Sequence, residues 1–148
     1  MMLSTQLANA CAQEMERNDP YSKRLGLKLI DADEGLAIVN LTVNEDMLNG
    51  HGTCHGGVIF SLADTAFAYA CNSQNQLAVA ASCTIDFVRP SRLNDVLTAT
   101  AKLQYQGKRT GVYQTMIVNQ DNKLIAIFKG NAARLGQTVI NTEPEDSI

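Results

Sequence analysis

At 148 residues the chain has the length of one domain, and with 45% of it hydrophobic it can bury a core without disulfides or metal. The absence of Trp and a formal net charge of -3 exclude an aromatic base-stacking platform and a net basic face, so no nucleic-acid partner is expected. The first residues lack a basic region followed by an apolar run, and no apolar stretch approaches the ~20 residues that cross a bilayer, so neither a secretory leader nor a membrane partner is expected.

In chain order, Leu3, Leu7, Cys11 and Met15 recur at four-residue spacing and predict an amphipathic helix over 3–18, lying on the outside of the body. Asp19-Pro20 ends it, because the residue before Pro is pushed out of helical conformation. Residues 26–30 read as a short strand. Beyond Gly35, Ala37, Val39, Leu41 and Val43 alternate with Ile38, Asn40 and Thr42, the pattern of a half-buried strand. Asn49-Gly50-His51-Gly52 interrupts with turn residues. Residues 58–71 carry no Gly, no Pro and one charge, Asp64, and read as a helix apolar nearly all round and therefore largely buried.

The rest is strand upon strand. Residues 78–88 place Val79, Ala81, Cys83, Ile85 and Phe87 on one expected inner face, and residues 95–105 place Leu97, Ala99, Ala101, Leu103 and Tyr105 on another. Turns at Gly107-Lys108-Arg109 and Gln120-Asp121-Asn122 separate strands at 110–118 and 123–134. Residues 136–148 are polar and acidic and are expected to fray. Short turns force antiparallel pairing, and one buried helix on an antiparallel sheet is an α+β arrangement. The whole chain, 1–148, reads as a single domain. Its four cysteines, Cys11, Cys54, Cys71 and Cys83, have neither close pairing nor metal-knuckle spacing, and read as reduced thiols of a cytoplasmic protein.

Chemistry concentrates in MLNGHGTCHGGVIFSLADTAFAYACN, residues 47–72. Ser61, Asp64, Thr65, Ala68 and Asn72 share one helical face by their spacing. A carboxylate within an apolar helix costs several kcal/mol to leave ionised and unpaired, so Asp64 serves either a hydrogen-bonding neighbour or a reaction. His55-Gly56-Gly57 stands at the mouth of the same helix, where backbone N–H groups form its positive end and two side-chain-free residues let a ligand carbonyl approach. From Gly56 to Asp64 is about 12 Å of helix rise. One chain cannot readily aim both at one atom, whereas two antiparallel helices in a symmetric dimer can.

Asn49, His55-Gly56-Gly57, Asp64-Thr65, Ile85-Asp86-Phe87 with Arg89-Pro90, and Gln106-Gly107-Lys108 together resemble the hotdog-fold thioesterases, most of all their PaaI type, the phenylacetyl-CoA thioesterases. The likeness runs from about residue 25 to 134. It implies a long helix wrapped by a curved antiparallel sheet, dimers with a continuous sheet paired into tetramers, and acyl-CoA as substrate. It implies Asp64 as the carboxylate that attacks the thioester or activates water. Gly56 is the matching backbone N–H that polarises the thioester carbonyl from the opposing subunit, and Asn49 and His55 are pocket residues. Gly57, Thr65 and Arg89-Pro90 fall at matching positions beside the substrate. Some relatives of this kind carry a Ser or Thr on the strand after the helix, and Ser82 lies near there.

Lys108 and Arg109, with Arg89 and Arg92, form a local basic set on what read as adjoining turns, suited to the phosphates of CoA. No metal or redox cofactor is required by thioester hydrolysis. His51, Cys54 and His55 lack the second ligand pair of a zinc site, and Cys54 beside His55 is poorly placed for a thiol nucleophile activated by its neighbour. Hotdog hydratases and dehydratases of acyl thioesters, and a non-catalytic acyl-CoA-binding module, remain the alternatives. Release of free thiol separates them from a hydrolase, since fold alone does not decide function.

Overall fold

The computed structural model describes residues 2–143. Helix α1 (Ser4–Arg17) is followed by α2 (Pro20–Leu25), the strands β1 (Lys28–Asp33) and β2 (Leu36–Thr42), and helix α3 (Gly56–Cys71). Strands β3 (Ala78–Phe87), β4 (Val96–Gln106), β5 (Thr110–Val118) and β6 (Leu124–Arg134) complete it. The six strands form one sheet in the order β1-β2-β4-β5-β6-β3, every neighbour antiparallel. One long helix against one antiparallel sheet is the expected α+β hotdog arrangement.

The core follows from the alternation in β2, where Ala37, Val39 and Leu41 are buried, continued by buried Val43 just past its end. They meet Leu97, Ala99 and Ala101 of β4, and α3 lays Leu62, Ala66, Phe67 and Ala70 over this surface. Close approach is set by Gly130 in β6, where an added Cβ would stand 2.8 Å from the Phe67 ring. Phe67 in turn stacks edge-on to Tyr113 at 5.5 Å and leans on Phe128 at 5.8 Å, a geometry aromatic rings favour. Asn72, expected on the Asp64 face, is buried at the helix end. There it accepts the N–H of Ala78 at 2.9 Å and donates to the Ala78 carbonyl at 3.0 Å, tying α3 to β3.

Several expectations need correction. Helix α1 buries Ala8, Cys11 and Ala12, while Leu3 precedes its first turn and is exposed. Residues 20–25 form α2, initiated by Pro20 at its first position and by Asp19, which accepts the N–H of Ser22 at 3.0 Å. The following strand accordingly starts at Lys28. Strand β3 lies at the sheet's edge, with Val79 46% and Phe87 54% exposed, and a bulge between Ala80 and Ser82 breaks its alternation. A second bulge between Leu103 and Tyr105 turns Tyr105 outward. The expected fraying does not hold for residues 137–140. The Leu77 N–H reaches the Gln137 carbonyl, and Asn75 Oδ1 accepts the N–H groups of Val139 and Ile140 at 2.9 Å. Residues 144–148, also covered by that expectation, lie outside the described residues.

Candidate active site

At the mouth of α3, His55 is the N-cap, and its Nδ1 accepts the N–H of Gly57 at 2.9 Å. An accepting Nδ1 carries no proton, so the neutral ring presents its hydrogen on Nε2. The cap uses one of the orphan donors that every helix start leaves unsatisfied. The N–H of Gly56 has no acceptor among the described residues and remains a free donor at the helix's positive end. Phe87, from the end of β3, lies so close that a Cβ on Gly56 would stand 3.1 Å from its ring. Gly56 and Phe87, with Cys54, Ile59, Arg89 and Pro90, line a cavity of 390 Å³.

Two turns along the helix, Ser61, Asp64, Thr65 and Ala68 line a second cavity of 470 Å³. Its far wall comes from the α1–α2 junction, through Met15, Asn18, Pro20 and Tyr21. Phe60 and Tyr69 make it largely apolar. Burial raises the Asp64 carboxyl above its ordinary range, because desolvation disfavours the charged form. None of the side-chain hydrogen bonds among the described residues ends on that carboxylate, whereas neighbouring Thr65 is satisfied by donating to the Ser61 carbonyl at 2.7 Å. An unpaired carboxylate of raised proton affinity in a cavity is suited to general-base or nucleophilic work.

Asp64 and Gly56 thus open onto different cavities of the same chain. Asn49 closes its own loop: its Nδ2 donates to Thr53 Oγ1 at 2.9 Å and its Oδ1 accepts the His51 N–H at 2.9 Å. Ser82 accepts from Asn131 Nδ2 at 2.7 Å and lines neither cavity. Cys54 is buried, and burial, with the charge of Asp95 adding, pushes its thiol up to about 11, so it stays protonated and weakly nucleophilic at neutral pH.

The basic set is not on adjoining turns of one chain. Lys108 and Arg109 sit in the β4–β5 turn, at the sheet end where Thr110 pairs with Ala133 and Ala78 with Arg134. Arg89 follows β3 at the other end, its guanidinium donating to the Leu124 carbonyl at 3.2 Å, and Arg92 lies beyond it. A nine- or ten-residue strand, roughly 30 Å long, separates the two pairs. Turn composition alone carried no information about which sheet end each turn occupies.

Two contributors escaped the sequence reading. Tyr21 reaches from α2 to α3, its hydroxyl 2.7 Å from Ser61 Oγ, and Phe87 faces Gly56 instead of the core. The Pro20 helix start could have pointed to an ordered Tyr21, but nothing local to either residue reveals its partner.

Comparison with known proteins agrees with this geometry. The thioesterase superfamily pattern matches residues 51–126. The chain is 57% identical over 128 residues to the acyl-coenzyme A thioesterase PaaI of Escherichia coli K12, covering 86% of this chain and 91% of that protein. The solved structure of the E. coli PaaI protein from the phenylacetic acid degradation operon superposes with a TM-score of 0.91 at 54% identity, covering 92% of this chain and 99% of that one. A hypothetical thioesterase of Streptococcus pneumoniae, solved with coenzyme A, superposes at 0.73 with 26% identity, over 76% of this chain and 88% of that one. The chain belongs to the thioesterase superfamily, in its PaaI-type branch, and is a hydrolase.

Proposed function

We propose that the protein hydrolyses aryl-acetyl-CoA thioesters, phenylacetyl-CoA or its ring-hydroxylated forms, to the free acid and CoA, as part of phenylacetate degradation. The observation that carries this reading is Asp64, an unpaired carboxylate of raised proton affinity in an apolar-walled cavity on α3. The cavity volume of 470 Å³ falls within the ~300–1,000 Å³ usual for small-molecule sites, and its walls of Phe60, Tyr69 and Met15 suit an aryl group. The E. coli relative named for acyl-CoA thioesterase activity, and the pneumococcal structure holding coenzyme A, support the substrate class.

In the general-base form, Asp64 takes a proton from water and the oxygen adds to the thioester carbon. The carbonyl oxygen becomes an oxyanion facing the N–H of Gly56 of the partner subunit. The C–S bond then breaks, and the sulfur leaves with the proton that Asp64 held. In the nucleophilic form the carboxylate itself adds, and the C–S bond breaks to release the CoA thiolate and leave a mixed anhydride on Asp64. Water cleaves that anhydride to the free acid, restoring the carboxylate and giving up a proton to the thiolate. A single oxyanion donor in a dry site contributes about 3–4 kcal/mol to the transition state, and the base typically a further ~100- to 10,000-fold. Neither route needs a cofactor.

A symmetric dimer completes the site. The exposed edge of β3 can pair with a second copy across a two-fold axis, making the sheet continuous. Antiparallel pairing there brings Arg89 and Arg92 of one protomer to the same sheet end as Lys108 and Arg109 of its partner, which reunites the basic set for the CoA phosphates. No helix among the described residues is long and apolar enough to cross a membrane, and the four unpaired cysteines suit a cytoplasmic enzyme.

The test is release of CoA thiol from phenylacetyl-, hydroxyphenylacetyl-, benzoyl- and aliphatic acyl-CoA by wild type and Asp64→Asn. Preference for aryl-acetyl substrates and a fall of at least ~100-fold in the variant are expected. Undiminished release by the variant removes Asp64 from the mechanism, and binding of CoA without any release overturns hydrolysis.

A further inference from the structure

We propose that Tyr21 is a specificity-determining residue that selects acyl groups carrying a hydrogen-bond donor, a ring hydroxyl, over the same groups methylated or unsubstituted. The proposal rests on the acyl-CoA hydrolase reading and adds to it the direction of one hydrogen bond.

Ser61 has a single hydroxyl hydrogen, which it donates to the Gly57 carbonyl at 2.8 Å. The 2.7 Å contact between Ser61 Oγ and Tyr21 Oη therefore has Tyr21 as donor and Ser61 as acceptor. This relay, from Tyr21 through Ser61 to Gly57, consumes the one hydrogen Tyr21 owns. What its oxygen still offers the cavity is lone pairs alone. A phenolic O–H can satisfy them; an ether oxygen or a bare ring edge cannot. The other polar side chains of that wall likewise present no hydrogen to the cavity: Asn18 Nδ2 donates to Glu14, at 3.0 Å to its carbonyl and 2.8 Å to its side chain, which leaves Oδ1 as an acceptor, and Asp19 accepts from Ser22.

The placement suits the length of the acyl group. Ser61 precedes Asp64 by three residues, about 4.5 Å of helix rise, and both line the same cavity with Tyr21. A thioester carbon held at Asp64 would place an aryl ring, one methylene away, toward the Tyr21 wall. The tyrosine is itself exposed, so its oxygen stands at the rim and meets a ring substituent there.

The experiment compares kcat/KM for phenylacetyl-, hydroxyphenylacetyl- and methoxyphenylacetyl-CoA in wild type, Tyr21→Phe and Ser61→Ala. Wild type is expected to prefer the hydroxyl over the methoxy ring, and Tyr21→Phe to reduce the hydroxyl-to-unsubstituted ratio about tenfold, the effect of one hydrogen bond. Ser61→Ala frees the Tyr21 hydrogen to donate, and is expected to raise the methoxy-to-hydroxyl ratio. Equal losses on all three substrates, accompanied by a lower melting temperature, would mean that Tyr21 only staples α2 to α3 and would overturn the proposal. The same acyl groups as non-hydrolysable CoA thioethers, titrated by calorimetry, give the comparison without turnover. Absence of hydroxyl preference in binding overturns the role of Tyr21, whereas absence of thiol release alone overturns only the hydrolase reading.

Discussion

His55 Nδ1 accepts the N–H of Gly57 at 2.9 Å, and this one bond divides the donors at the mouth of α3 between structure and chemistry. The Gly57 hydrogen is consumed by the cap, leaving that of Gly56 free together with Nε2–H of the same imidazole. Replacement of His55 by Ala removes the cap at a cost of about 1 kcal/mol, a fall of a few degrees in melting temperature. His55→Ser restores a capping oxygen and is expected to recover the melting temperature, but not the kcat/KM, which stays at least about tenfold down because Nε2–H is lost. Full recovery of both by Ser would reduce His55 to a cap.

Asp64 links activity to stability through pH. Its carboxyl is raised by burial, so the folded protein binds this proton more tightly than the unfolded chain does, where the value is about 3.9. The stabilising effect of that proton is complete below the unfolded value and is lost as pH rises through the higher folded one. Asp64→Asn carries no charge at any pH. It is therefore expected to melt above wild type at pH 7 to 8, and the difference should shrink toward zero in acid. Wild-type turnover should decline in the opposite direction, as acid protonates the base, at a pH above the ordinary carboxylate range. Parallel melting curves at every pH would contradict the placement of Asp64 in an apolar site.

Gly130 is the point where helix and sheet come closest. A Cβ there meets three ring carbons of Phe67 at 2.8 to 2.9 Å, and Tyr113 and Phe128 stop the ring from tipping aside. Gly130→Ala is expected to cost about 1–3 kcal/mol, as overpacked cores do, read as a lower midpoint in urea with unchanged slope. Phe67→Leu in the same chain should recover part of it, so the pair is less destabilised than the sum of the singles. Simple additivity would place the strain elsewhere.

Local patterns made legible whatever local physics decides. The alternation of β2, the unbroken apolar run of α3 and the odd charge of Asp64 all lie within a turn or a strand of themselves. What escaped was set at a distance. Val79 and Phe87 alternate like core residues, but only topology makes β3 an edge whose ends the helix leaves uncovered. The pinning of Val139 and Ile140 depends on Asn75, and the separation of Arg89 from Lys108 on strand order. Tyr21 follows a helix-breaking Asp-Pro, and no spacing rule connects it to Ser61 across 40 residues. The free N–H of Gly56 was anticipated in kind, but its distinction from that of Gly57 needed the imidazole of His55 in place.

The separation of Asp64 from Gly56 in one chain makes a demand on assembly that mixing can test. His55 has φ -61 and ψ 135, the extended conformation required before proline, and Gly56 is the first residue of α3, where proline is well tolerated. Gly56→Pro therefore deletes the free N–H with little damage to the helix, the half-exposed Phe87 ring moving to admit the new side chain. Loss of one oxyanion donor predicts a fall of about 100- to 1,000-fold in kcat, and Asp64→Asn is silenced at the other group. When the two variants are mixed, unfolded and refolded together, half of the dimers pair one of each kind. Such a dimer joins the Asp64 of one protomer to the Gly56 of the other in a single intact site, while its second site lacks both groups. Activity should return to about a quarter of the wild-type level. A mixture as inactive as its components, with exchange of protomers verified by mass, would place both groups of each site in the same chain and overturn the shared active site.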